Sequence, residues 1–100
     1  MTMLPIVWIN LFSVPKDKES DFLGWWAETK AGLTKGQGFI GGRLYRSWNV
    51  DARFNFIKVE RWDDELYAEK SGASLAAMKP RLADIGVEIA GAIFTVHEEY

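Results

Sequence analysis

The segment from Arg53 to Lys70 constrains this chain more than any other. It reads Arg-Phe-Asn-Phe-Ile-Lys-Val-Glu-Arg-Trp and then Asp-Asp-Glu-Leu-Tyr-Ala-Glu-Lys. The first part has the aromatic and β-branched composition of a strand. It stops at Trp62, and Asp63 is a good helix N-cap. A sheet therefore hands over to a helix next to a large aromatic side chain. Strand ends of this kind, held by a rigid scaffold, are where pockets for small ligands form.

The same handover occurs once earlier. Pro5 to Val14 alternates as a strand, with Ile6, Trp8, Asn10 and Phe12 on one face and Val7, Ile9 and Leu11 on the other. Both faces are mostly apolar, so this strand is central and covered on both sides. Pro15 closes it, and Asp17 is the expected cap of a helix running to about Leu33. Phe22, Trp26, Thr29 and Leu33, with Leu23 and Trp25, form a wide apolar stripe along that helix. Gly32, Gly36 and Gly38 then break the chain before a second strand, Phe39 to Trp48. A turn at Asn49-Val50-Asp51 leads into the third strand, Arg53 to Trp62. A second helix is expected from Asp64, interrupted at Ser71-Gly72 and kinked or broken at Pro80. Gly86 ends it, and Val87 to His97 reads as a fourth strand.

The order is βαββαβ, in a single domain spanning residues 1–100. Right-handed crossovers place both helices on one face of a four-stranded sheet, a ferredoxin-like α+β fold with the first and third strands side by side. Those two strands are expected to run parallel, although the sheet as a whole is expected to be antiparallel. The other face is left bare. Trp8, Phe12, Phe54, Phe56 and Phe94 are expected to make it too apolar to stay wet. Two sheets packed face to face solve this, so a homodimer with a self-complementary interface is expected.

Composition narrows the function classes. A chain of 100 residues with no cysteine has no disulfide staple, thiolate nucleophile or thiolate metal site. The net charge of −2, with acids and bases interspersed, lacks a nucleic-acid footprint. No apolar run reaches transmembrane length and no signal-peptide pattern opens the chain, so a cytoplasmic protein without membrane association is expected. The single histidine, His97, cannot build a histidine metal site, and no serine stands in a nucleophile elbow. Gly36-Gln37-Gly38-Phe39-Ile40-Gly41 fits G-x-G-x-x-G by letter. It follows a helix and opens a strand, the reverse of dinucleotide binding.

The remaining candidates are Asn10 and Trp62, which can face one cavity between sheet and helices. Tyr67 can lean over that cavity from the second helix, and Trp25 or Trp26 from the first. Tyr45 is the other polar aromatic on offer. A buried asparagine must find hydrogen-bond partners, so Asn10 is either tied to backbone or waiting for a ligand.

In this order and spacing the chain resembles the antibiotic biosynthesis monooxygenases, small dimeric α+β barrel proteins. The resemblance rests on Ile9-Asn10-Leu11-Phe12-Ser13-Val14-Pro15, on Gly38-Phe39-Ile40 with Leu44-Tyr45-Arg46-Ser47, on Asp51-Ala52-Arg53-Phe54-Asn55-Phe56, and on Glu60-Arg61-Trp62. It implies cofactor-independent oxygenation of an aromatic or polycyclic phenol or quinol. Asn10 would hydrogen-bond a developing phenolate while Trp62 and a second aromatic stack on the ring. Related haem-degrading members use an Asn, Trp and His set. Asn10 and Trp62 match two of its members, but the second helix offers Tyr67, Glu69, Lys70 and Ser71 and no histidine, so axial haem ligation does not carry over. Trp25, Trp26, Tyr45 and Tyr67 are the substrate-binding candidates, with no metal and no cofactor expected. The alternative is a non-catalytic dimer of the same fold that binds a small molecule or serves a stress response.

Overall fold

The computed structural model describes residues 5–70 and 75–100. Strand β1 (Ile6–Ser13) leads through a short 3-10 turn (Lys16–Lys18) into helix α1 (Glu19–Leu33). Strands β2 (Phe39–Arg46) and β3 (Phe56–Trp62) follow, then helices α2 (Glu65–Lys70) and α3 (Leu75–Ile85), and strand β4 (Glu88–Phe94) closes the order. The sheet order is β2-β3-β1-β4 and every pairing is antiparallel. The expected adjacency of β1 and β3 is present, but their expected parallel sense is not. The chain leaves β1 through α1 and returns in β2 with the direction of β1. The β2–β3 connection then reverses it, so β3 must oppose β1.

Local chemistry shifts several boundaries. Lys18 N donates to Pro15 O at 2.9 Å, forming the 3-10 turn that delivers α1. Asp17 lies inside that turn rather than at a cap. At α2 the cap is Asp64, whose Oδ1 accepts from Leu66 N at 3.3 Å. Asp63 instead ties the end of β3 to the loop before β2 through its backbone N, which donates to Gly38 O at 2.8 Å. The expected interruption at Ser71-Gly72 lies outside the described residues. Pro80 sits exposed within α3 without ending it. Gly86, at φ +86°, ends α3 in a Schellman motif, with Gly86 N donating to Ala83 O and Val87 N to Leu82 O. β4 stops at Phe94, so His97 lies beyond the sheet and is exposed. Among the described residues, no helix is long and apolar enough to cross a membrane.

Both helical layers cover the same face of the sheet. One apolar cluster joins Phe12 and Phe56 to Phe22 and Trp25 of α1 and Met78 and Leu82 of α3. A second joins Ile6, Trp8 and Trp62 to Leu33 and Ala68. Trp8, Phe12 and Phe56 are therefore core residues beneath the helices, not the bare-face residues expected from sequence. Strand parity explains the correction, because they alternate in step with Ile6 and Asn10, which face the helices. Phe54 precedes β3 and lies under the Arg53 guanidinium, 4.9 Å from its ring centre. Of the expected bare-face set only Phe94 keeps that position, paired with Val7. The uncovered face is instead made by Val7, Ile9, Leu11, Ile57 and Val59, all half-buried, with exposed Tyr45 and Phe94.

Candidate active site

Between the two apolar clusters the inner face of the sheet turns polar. Among the described residues the buried polar or charged side chains are Asn10, Lys58 and Glu60. All three lie on this face, because Asn10 pairs with Lys58 in register and Glu60 is two residues along the same strand. Their level in the sheet is the gap between Phe12–Phe56 and Ile6–Trp62.

Glu60 is the hub. Its Oε1 lies 3.2 Å from Lys58 Nζ, with both side chains essentially shielded from water. The same oxygen accepts a long hydrogen bond from Trp62 Nε1 at 3.5 Å. Lys58 Nζ also donates to Met78 Sδ at 3.8 Å and sits 5.6 Å from the centre of the Trp26 ring, a cation–π distance. Burial pushes the Lys58 ammonium below its usual 10.5, because desolvation penalises the charged form and the Glu60 charge only partly offsets it.

This pair forms the floor of a cavity of about 350 Å³ between α1 and the β2–β3 edge. Trp26, Leu33, Phe39 and Leu44 form its apolar walls, Lys30 and Thr34 stand at its exposed rim, and Arg43 borders it from β2 with its guanidinium turned to Tyr45 on the uncovered face. Gly42 keeps the floor open: a Cβ there would lie 3.0 Å from both Glu60 Cγ and Val59 O. Aromatic walls with a few converging polar groups are the usual make-up of a small-molecule site.

The six residues singled out from sequence do not converge on this cavity. Trp26 lines it. Trp25 packs in the core with Phe12 and Phe22, at ring-centre distances of 6.0 and 5.7 Å. Tyr45 lies on the uncovered sheet face, where its hydroxyl accepts from Arg43 Nη1 at 3.4 Å. Tyr67 packs over the loop before β2 and its hydroxyl accepts from Gln37 Nε2 at 3.5 Å. Trp62 is fully buried, edge-on to Phe39 at 5.2 Å, and reaches the site through Glu60. Asn10 and Trp62 share the inner face but are offset by four residues in register, about 13 Å along the strand.

Asn10 holds the most unusual position. Among the described residues neither its Nδ2 nor its Oδ1 has a hydrogen-bond partner, although both are buried. Gly91, opposite it on β4, makes room for the carboxamide, since a Cβ there would lie 2.5 Å from Asn10 Nδ2. Asn55 provides the contrast. Its Oδ1 accepts from Val14 N and its Nδ2 donates to Val14 O, both at 2.8 Å, stitching the end of β1 to the segment before β3.

The Lys58–Glu60 pair was not among the candidates drawn from sequence. A signal for it exists: Phe56, Lys58, Glu60 and Trp62 share strand parity, so two charges stand between two large aromatics on one face.

No family model matches the sequence, and no curated protein matches it. Solved structures do. A candidate monooxygenase from Shewanella loihica superposes with a TM-score of 0.79 at 23% identity, covering 96% of this chain and 97% of that one. SnoaB, a cofactor-independent oxygenase from Streptomyces nogalater, gives 0.72 at 18% identity, with 95% of each chain covered. A candidate antibiotic biosynthesis monooxygenase from Deinococcus radiodurans gives 0.74 at 10% identity, again with 95% of each covered. The chain therefore has the fold expected from its sequence, the ferredoxin-like α+β fold of these proteins.

Proposed function

We propose that this protein is a cofactor-independent oxygenase of aromatic phenols or quinols, working as a homodimer. The observation that carries the reading is an aromatic-walled cavity whose floor is polar and shielded from water. A planar substrate would lie against Trp26 and Phe39, with its oxygen substituent turned to the buried polar groups of the floor. Asn10, one strand further in, contributes a carboxamide with unused hydrogen-bonding capacity, as a group awaiting a ligand or an ordered water would. The shared fold with a cofactor-independent oxygenase supports the same reading.

In this mechanism the phenol ionises, and the electron-rich anion reacts directly with dioxygen. Phenol and dioxygen become quinone and water, so one oxygen atom enters the ring and the other leaves reduced. The protein's part is orientation, exclusion of water and stabilisation of the developing negative charge. Asn10, which lies behind the floor on β1, would act on that charge by donating from Nδ2 to a ligand atom or ordered water seated at the level of Lys58.

Oxygen uptake with a panel of hydroquinones, anthrones and catechols tests the proposal. Turnover with at least one class is expected, and Asn10→Ala should lower kcat about tenfold to a hundredfold while leaving the thermal unfolding temperature nearly unchanged. Tight ligand retention without oxygen uptake would favour the non-catalytic binding protein instead. An Asn10→Ala variant that keeps full turnover would assign Asn10 to structure.

A further inference from the structure

We infer that Lys58 and Glu60 act together as the acid–base unit of the cavity, taking the proton of an ionisable hydroxyl on a planar aromatic ligand and holding the resulting anion. The inference rests on the proposed oxygenase reading and extends it by naming where the substrate proton goes. A buried ion pair is a poor stabilising device, because desolvation offsets most of the attraction between its charges. Here the two charges lie 3.2 Å apart between two apolar clusters, where hydrophobic side chains of similar size would continue the core. They also form the floor of a cavity with aromatic walls, which a purely structural pair would not require.

The proton balance follows from the geometry. The ionised pair is neutral overall. The ligand's O–H bond breaks, and its proton ends on the Glu60 carboxylate. The Lys58 ammonium, released from its ion pair, then faces the phenolate oxygen. The pair has gained one positive charge and the ligand one negative charge, so the floor stays neutral as a whole. If the pair begins as amine and carboxyl, the phenolic proton goes to the amine and the end state is identical. Trp62 Nε1 and Met78 Sδ hold the two groups in place, which makes Trp62 a positioning residue in this scheme rather than a stacking surface.

The experiment uses 4-nitrophenol, whose phenolate is coloured, as a ligand that ionises without needing oxygen. Its ionisation is followed by absorbance when bound to the full-length protein, to Lys58→Met, and to Lys58→Met/Glu60→Gln. The double variant buries no charge, and so keeps the fold should the single variant lose it. In the wild type the bound probe should ionise about one pH unit below the free probe, a tenfold shift in its acid constant. In the double variant the shift should vanish while the probe still binds. An equal shift in wild type and double variant overturns the inference, as does a probe that fails to bind the wild type. A shift lost in Lys30→Gln but kept in the double variant assigns it to the rim cation and also overturns it. Oxygen uptake is measured separately: a Lys58-dependent shift without uptake by any substrate sinks the oxygenase reading alone.

Discussion

At the scale of single residues, the polar middle of the inner sheet face separates structural from functional demands. Lys58 carries a titration consequence that stability measurements can read. Its folded ammonium is held below the usual 10.5 by burial, opposed in part by Glu60 on its own strand. Of the other charged residues lining the cavity, Lys30 of α1 stands at the rim, and Arg43 of β2 turns its guanidinium to the uncovered face. Between the lowered folded value and 10.5 the unfolded chain binds more protons at this site than the folded one, so folding stability rises with pH across that window. Below the window the penalty for burying the charge is fully present. Urea unfolding at about pH 7 and about pH 10 should therefore show the wild type gaining stability relative to Lys58→Met/Glu60→Gln as pH rises. Asn10 is the contrasting case: it does not titrate, and among the described residues its buried carboxamide has no hydrogen-bond partner, while the carboxamide of Asn55 is paired with the Val14 backbone through both its oxygen and its nitrogen.

At the scale of elements, the site is held open by the way edges meet. The loop before β2 turns at Gly38, with φ +83°, and its backbone oxygen anchors Asp63 at the end of β3. Tyr67, on α2, covers that glycine so closely that a Cβ would run into its ring. Gly38→Ala adds a left-handed backbone penalty to a steric one. It should cost at least about 2 kcal/mol of unfolding free energy in urea titration, and it should displace α2 from β3. The α1 helix has a different task. Its Trp26 packs against both apolar clusters and roofs Lys58, so one side chain links the two halves of the core and walls the cavity. Trp25, its neighbour in sequence, points to the Phe12–Phe22 cluster and contributes stability rather than recognition.

At the scale of the whole molecule, the sheet has one face under helices and one without cover. The open face carries Val7, Ile9, Leu11, Ile57 and Val59, flanked by Tyr45 and Phe94. That is a broad apolar surface for a domain of 100 residues, whose own core provides limited stability. Pairing two such faces across a twofold axis covers both. Sedimentation at micromolar concentration should show a dimer. Val59→Glu, which places a charge at the centre of the face without touching the cavity, should shift the protein towards monomer and lower its unfolding temperature in a concentration-dependent way. A wild-type chain that stays monomeric would remove the dimer from the proposed function and leave the cavity intact.

Much of the architecture was legible in the residues. Period-two alternation, proline and glycine breaks and acidic helix starts marked four strands and the helices between them in the right order, and the crossover rule put both helices on one face. These signals are local, and local chemistry suffices to read them. What the pattern could not reveal was which face of each central strand its own helices would cover, because Ile6-Trp8-Phe12 and Val7-Ile9-Leu11 are both apolar. Only packing against α1 and α3 resolved that choice, and with it the burial of Lys58 and Glu60. In the same way, nothing in the spacing of Trp25 and Trp26 said which would turn to the cavity. The fold class followed from short-range order along the chain; the site followed from which side chains the tertiary structure removed from water together.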